Sequence, residues 1–201
     1  MSWWVHDFKR YKHAMSEISK QRDRGAGIIA AAIVEDHLDF ALATRLRTDK
    51  EAADLKANMF SGRGALGNFG AKIDLGYLFG LYDNRTRKKL HEIRLIRNDF
   101  AHKMEPQSFA SNVNRCARLI APKGLARQMN KMLNDFAKGQ IEEGARIVHK
   151  TFERSKKPRT QFIRACQQMT FLLNWEIQLG QRKTRTKEPD AAPKPLLGIS
   201  P

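Results

Sequence analysis

The sequence predicts an all-α protein, folded as a helical bundle without a β-sheet. Apolar residues recur at steps of three or four in successive segments, which is the spacing of amphipathic helices. No segment shows the apolar–polar alternation of a half-buried strand, and aromatic residues make up only 8% of the 201 residues, which disfavours a β-sandwich or barrel. Apolar residues account for 41% of the chain, a share typical of globular proteins, so wholesale disorder is not expected.

The N-terminal half is predicted to form three helices and one glycine-rich connection. The first helix covers about residues 3–20, and Asp23 is the expected N-cap of a second helix over about residues 24–47, because Asp is favoured at that position. Residues 58–68 contain three glycines and form the connection. A third helix follows over about residues 69–81.

The next helices are marked by caps and prolines. Asp83 is expected to cap a fourth helix over about residues 85–100, and the last helix covers about residues 159–179. The apolar stripe of the fourth helix consists of Leu90, Ile93, Ile96 and Phe100. Three prolines are expected in the first turns of later helices, where proline is tolerated: Pro106, Pro122 and Pro158. The helix after the first of them is expected to bury Phe109, Val113, Cys116 and Ile120.

The composition divides the chain into three sections. Residues 1–121 form the predicted helical core, and residues 122–180 form a basic helical extension. From residue 181 a basic run precedes four prolines, and such a segment has too little apolar surface to offset the entropy of ordering. Residues 181–201 are therefore predicted to be a disordered tail that is basic and rich in proline.

Positive charge is the strongest bulk signal for function. The chain has 37 Lys and Arg against 21 Asp and Glu, a formal net charge of +16, which favours contact with a polyanion, either nucleic acid or an anionic membrane face. A solvated basic surface with no such partner is the alternative. The excess is concentrated in the C-terminal quarter, and the predicted nucleic-acid-binding residues are Lys156, Lys157, Arg159, Arg182, Lys183, Arg185 and Lys187.

The same sequence indicates a cytoplasmic location and no membrane partner. Only two cysteines occur, Cys116 and Cys166, which fits a reducing cytosol better than a disulfide scaffold. The N-terminus has no apolar signal core, and no window approaches 18 uninterrupted apolar residues.

No metal site or cofactor is expected. The six histidines are scattered without a pair at i,i+4, and there is no Cys-x-x-Cys. Residues 62–67 match the glycine fingerprint of dinucleotide binding, but that fingerprint requires a preceding strand, and residues 55–58 do not form one. A flexible connection is the preferred interpretation, with an anion on the amides of the next helix, assisted by Arg63, as the alternative.

One polar constellation, Arg97-Asn98-x-x-x-His102, is the best candidate site. Asn98 and His102 are one helical turn apart, whereas Arg97 and His102 differ by about 140° and converge only where the helix ends or bends. Arginine suits a phosphate and histidine can move a proton near neutral pH, so together they could cleave RNA without a metal. The alternative is structural: His102 stabilises the helix end and Arg97 pairs with an acid such as Glu35.

Three segments resemble signatures of the mannitol operon repressor family, in the expected order: residues 23–35, 60–73 and 96–102. This resemblance implies an all-helical fold, frequent dimerisation, and transcriptional repression without a standard helix-turn-helix. The Arg-Asn-x-x-x-His element also resembles that of the higher eukaryotes and prokaryotes nucleotide-binding (HEPN) superfamily. Many of its members are metal-independent ribonucleases with the site at a dimer cleft, which implies a catalytic role for Arg97, Asn98 and His102 and a HEPN-like bundle.

Three hypotheses about function follow. The first is a homodimeric regulatory protein acting on nucleic acid, the second a HEPN-type ribonuclease, and the third a scaffold that binds only another protein. Glu35 and Lys72 are second-rank candidates for the site. Both are charged residues among apolar neighbours on predicted core helices, where an unpaired charge is costly.

Overall fold

The computed structural model describes residues 8–105, 107–120 and 155–186, and the side chains of residues 13–105, 107–120 and 155–177. This part of the chain is all helical, which confirms the predicted fold class. In chain order the elements are α1 (Phe8–Lys20), α2 (Asp23–Ala43), α3 (Lys50–Phe60), α4 (Phe69–Leu78), α5 (Asn84–His102), a 3₁₀ turn (Ala110–Asn112), α6 (Val113–Arg118) and α7 (Pro158–Thr186).

Helix α2 is the centre of the bundle and packs against α1, α4, α5 and α7. Apart from His37, its buried face is made of glycine and small or medium apolar side chains, which lets the neighbouring helices approach closely. At Gly27 an added Cβ would lie 2.3 Å from the Phe100 ring of α5, so glycine is required at this crossing. A cluster of aromatic rings then ties α5 to α7. The Phe109 centroid lies 4.9 Å from that of Phe100 and 5.2 Å from that of Phe162.

The N-terminus of α5 is capped as predicted. The Asp83 carboxylate accepts a hydrogen bond from the Thr86 amide at 2.8 Å, and the predicted stripe of α5 is buried in full. Asp23, however, is the first residue of α2 and not its N-cap. Its carboxylate is bound instead by Arg159 and by the Phe109 amide, because α7 and the 3₁₀ turn bring these donors to it.

Several predicted boundaries are wrong. Helix α2 ends at Ala43, four residues before the predicted end at residue 47. Helix α4 ends at Leu78, and Gly80 follows with a φ of 67° in the left-handed region that glycine favours. Helix α3 was not predicted, because none of its residues is buried and its apolar pattern is weak.

The C-terminal helices also depart from the prediction. The segment after residue 106 forms a 3₁₀ turn before α6, which leaves Val113 48% exposed, while Phe109 and Cys116 are buried as expected. Helix α7 buries the face of Phe162, Cys166, Met169 and Leu173, but it continues to Thr186, past the predicted helix end at 179 and the start of the predicted tail at 181. Residues 122–154 of the predicted basic extension and residues 187–201 of the predicted tail lie outside the described residues.

Among the helices described here, none combines the length and the apolar character that crossing a bilayer requires. Both cysteines carry free thiols and are buried. Burial raises the pKa of Cys116 to about 11 and that of Cys166 well above its ordinary value, so neither thiol is a reactive thiolate near neutral pH.

Candidate functional site

A group of charged side chains lies between α2, α4 and α5; Lys72 is buried and the others are half-buried. Lys72 of α4 donates hydrogen bonds to Glu35 at 3.0 Å and to Asp39 at 2.8 Å. The two carboxylates are one turn apart on α2 and therefore face the same neighbour. The Lys72 side chain is only 6% exposed, so this cation depends on both carboxylates to compensate its burial.

Arg97 and Asn98 of α5 complete this arrangement. An Arg97 Nη2 atom lies 3.7 Å from Glu35 Oε2, and Arg97 also donates to Asn98 Oδ1 at 3.1 Å. We call Glu35, Asp39, Lys72, Arg97 and Asn98 the ionic cluster. The structure therefore brings together both second-rank candidates and two of the three first-rank candidates. It adds Asp39, which the one-turn spacing from Glu35 could have indicated.

The electrostatics of the ionic cluster follow from burial and from the sharing of Lys72. Burial lowers the pKa of Lys72, but the hydrogen bonds to Asp39 and Glu35 outweigh burial and hold that pKa above its usual value. Burial raises the pKa of Asp39 above its ordinary value, although the hydrogen bond from Lys72 opposes this change. At the centre of the cluster, Lys72 is therefore a cation held by two carboxylates.

His102 does not join the ionic cluster. It is the last residue of α5, its side chain is exposed, and it has no hydrogen bond or ion pair among the residues that the structure describes. Helix α5 runs without interruption through this turn, so Arg97 and His102 keep their separation around the helix. Within one chain, Arg97 thus has the partner expected of a structural arginine, namely Glu35.

The glycine-rich connection has a structural explanation. It follows α3 and not a strand, and it folds back over the end of that helix. A Cβ at Gly64 would lie 2.1 Å from the Asn58 carbonyl oxygen, and one at Gly67 would lie 2.4 Å from that of Ser61. These two glycines are needed for close backbone contacts within the turn.

A second candidate site lies where α2 and α7 begin. A cleft of about 620 Å³ is lined by Arg22, Asp23, Arg24, Met104, Gln107 and Arg159; we call it the arginine cleft. It includes Arg159, which the sequence placed among the nucleic-acid-binding residues. Arg22 and Arg24 were not predicted to bind nucleic acid. Arg24 lies within the signature of residues 23–35 but was given no role there, and the two arginines share a cleft only because α7 packs beside them.

The other predicted nucleic-acid-binding residues fall into two groups. Lys156 and Lys157 are exposed and directly precede α7, beside the arginine cleft. Arg182, Lys183 and Arg185 lie on the last turns of α7, where the backbone alone is described, and Lys187 lies outside the described residues.

Among the described residues, no group of three His, Cys, Asp or Glu side chains is arranged to hold a metal ion. Comparison of the chain with protein family models, curated proteins and solved structures finds no match.

Proposed function

We propose that this chain is a regulatory protein that acts by binding nucleic acid, as the resemblance to the mannitol operon repressor family implies. The observation that carries the proposal is the concentration of cations at one end of the bundle. We call residues 22–24, 103–105 and 156–159 the basic end. They contain six Lys and Arg and two acidic residues, and a surface of this kind attracts the phosphates of DNA or RNA.

These segments are far apart in sequence and are held together by hydrogen bonds. Arg24 donates to the carbonyls of Lys103 and Glu105, and Arg159 donates to Asp23. Of the cations, Lys103 is bound by Asp99 at 3.1 Å, whereas Lys156 and Lys157 are exposed. The net positive charge of this end supports binding to a polyanion, and we place the regulator in the cytoplasm as a homodimer.

We prefer nucleic-acid binding to RNA cleavage because the Arg97 guanidinium already contacts other side chains. A metal-independent ribonuclease of the HEPN type needs Arg97 and His102 to act on one phosphate. Within one protomer, Arg97 is engaged by Glu35 and Asn98 and His102 is exposed at the end of α5, so a single chain does not bring the two onto one phosphate. A chain that only scaffolds another protein has no need of the basic end, which disfavours that third hypothesis.

The proposal is tested by the salt dependence of binding to labelled duplex DNA and to labelled RNA. We expect a log–log slope of about −0.9 for each DNA phosphate neutralised. Replacing both lysines, Lys156→Gln with Lys157→Gln, should weaken binding. It should also reduce the steepness of the log–log slope by about 1.8, the contribution of two neutralised phosphates. The matched control is Lys50→Gln with Lys88→Gln, since both are exposed lysines on other helices. Absence of binding, or binding indifferent to salt, overturns the proposal.

Cleavage is examined separately. Labelled RNA incubated in EDTA with the full chain should stay intact. If it is cut, and His102→Ala abolishes the cutting without changing the melting temperature, the ribonuclease hypothesis replaces ours.

A further inference from the structure

We infer that the arginine cleft is a binding site for a phosphate group. The inference rests on the proposed function in one respect, because nucleic acid is then the expected source of the phosphate. The arginine cleft is an open depression on the surface, with a volume of about 620 Å³. Three guanidinium groups and one carboxylate line it, and a guanidinium fork matches the geometry of phosphate oxygens.

Two of the three arginines form a fixed wall. Arg159 donates to Asp23 at 2.8 Å, to the Ile18 carbonyl at 3.1 Å and to the Gln21 carbonyl at 2.8 Å. Arg24 donates to two carbonyls of the segment that follows α5. Groups held in this way lose little conformational entropy when a ligand arrives.

The positive charge of this wall is only partly compensated. Carbonyl oxygens are neutral acceptors, so the charge of Arg24 persists, and Asp23 is the one carboxylate among the lining residues. That carboxylate is itself shared, because it also accepts from the Phe109 amide at 3.0 Å. Helices α2 and α7 both begin at the cleft, and the positive ends of their dipoles add to the attraction for an anion.

The guanidinium of Arg22 is the group that is available to bind the phosphate. It lines the cleft and is exposed, and among the described residues its guanidinium has no hydrogen-bond or ion-pair partner. It precedes α2, and its side chain does not cap the helix. Replacing it should therefore change ligand binding while leaving the bundle intact, which makes it the sharpest test position.

The experiment compares Arg22→Gln with Arg85→Gln in the full chain. Arg85 is an exposed arginine in the first turn of α5. The beginning of α2 packs against the opposite end of α5, near Phe100, so Arg85 lies far from the arginine cleft. The first probe is inorganic phosphate, titrated by NMR into each protein. Loss of one charge-assisted hydrogen bond corresponds to about tenfold weaker binding. We expect this loss in Arg22→Gln and not in Arg85→Gln, with unchanged melting temperatures in both.

The second probe is duplex DNA, which identifies the source of the phosphate. If Arg22→Gln also flattens the salt slope by about 0.9, and inorganic phosphate competes with DNA, the cleft holds a backbone phosphate. If phosphate binding depends on Arg22 but DNA binding does not, the ligand is a small phosphate ester. Both results support a phosphate site.

The two proposals fail in different ways. Equal phosphate affinity in Arg22→Gln and Arg85→Gln, with an equal DNA salt slope, overturns the phosphate site and leaves nucleic-acid binding in place. Loss of all DNA and RNA binding together with Arg22-dependent phosphate binding overturns the proposed function and leaves the phosphate site in place.

Discussion

Replacing Lys72 by methionine should expose how much the ionic cluster contributes to the fold. Methionine keeps the length and most of the volume of the side chain, so the main change is loss of the cation bound to Glu35 and Asp39. Removing one partner of a buried ion pair typically costs about 3–5 kcal/mol, because the other charge stays behind without compensation.

The structure places the expected loss at the lower end of that range. The Glu35 and Asp39 side chains are 17% and 32% exposed, so water reaches them in part, and Glu35 retains Arg97 at 3.7 Å. We therefore expect a loss of about 3 kcal/mol in the free energy of unfolding. For a chain of this size this corresponds to a fall in melting temperature of roughly 6–12 °C.

The loss should depend on pH in a definite direction. Burial raises the pKa of Asp39 in the folded protein, so the folded state holds this proton more tightly than the unfolded chain does. A carboxyl group of this kind costs stability as pH rises above its unfolded pKa, and without Lys72 the cost is larger. The deficit of Lys72→Met should be full at pH 7 and should shrink as pH falls toward about 4.

The assay is urea unfolding followed by circular dichroism at several pH values. Lys88→Met is the matched control, since Lys88 is exposed on α5 and its replacement should change the free energy by less than about 0.5 kcal/mol. A loss below about 1 kcal/mol, or a loss of 3 kcal/mol that does not vary with pH, would refute this account of the cluster.

Two further changes test the packing and the caps. Gly27→Ala should destabilise the fold by about 1–3 kcal/mol, because its Cβ would lie 2.3 Å from the Phe100 ring. In Gly25→Ala the nearest atom is the Oε1 of the flexible Gln21 side chain, at 2.8 Å, so equal urea midpoints for the two variants would contradict the helix crossing. Asp83→Ala should cost about 1 kcal/mol at pH 7. Hydrogen bonds from Thr86 lower the pKa of Asp83. The stabilisation by this cap is therefore present above the pKa of the unfolded chain and is lost as pH falls through the pKa of the folded protein. If Asp83→Ala and the parent protein still differed in free energy of unfolding at pH 2, that result would count against the cap.

The basic charge of the chain acquires a location only in the folded structure. Several arginines are structural: Arg45 pairs with Glu176, Arg115 with Asp99, and Arg118 with Glu92. These pairs neutralise charge that composition alone assigns to a polyanion. The basic end keeps its excess because Arg24 is bound by carbonyls and not by carboxylates.

The sequence alone determined the helical class, the position of α5 and the burial of its stripe. These features depend on neighbours within one or two turns, such as the Asp83 cap and the periodic apolar residues of residues 85–100. It also marked Glu35 and Lys72 as charges that need partners, because an unpaired charge on a core helix is costly whatever the fold. The polar contacts of the ionic cluster agree with that expectation.

The tertiary structure determined which residues from distant parts of the sequence contact each other. Asp23 has the local features of a helix cap, yet Arg159, 136 residues away in sequence, binds its carboxylate. Arg22 and Arg24 form a cleft only because α7 begins beside them, and Arg97 turns toward Glu35 because α5 packs on α2. Local signals are set by backbone geometry within a turn, whereas these pairings depend on which helix faces bury the most apolar surface together, and that is a property of the whole bundle.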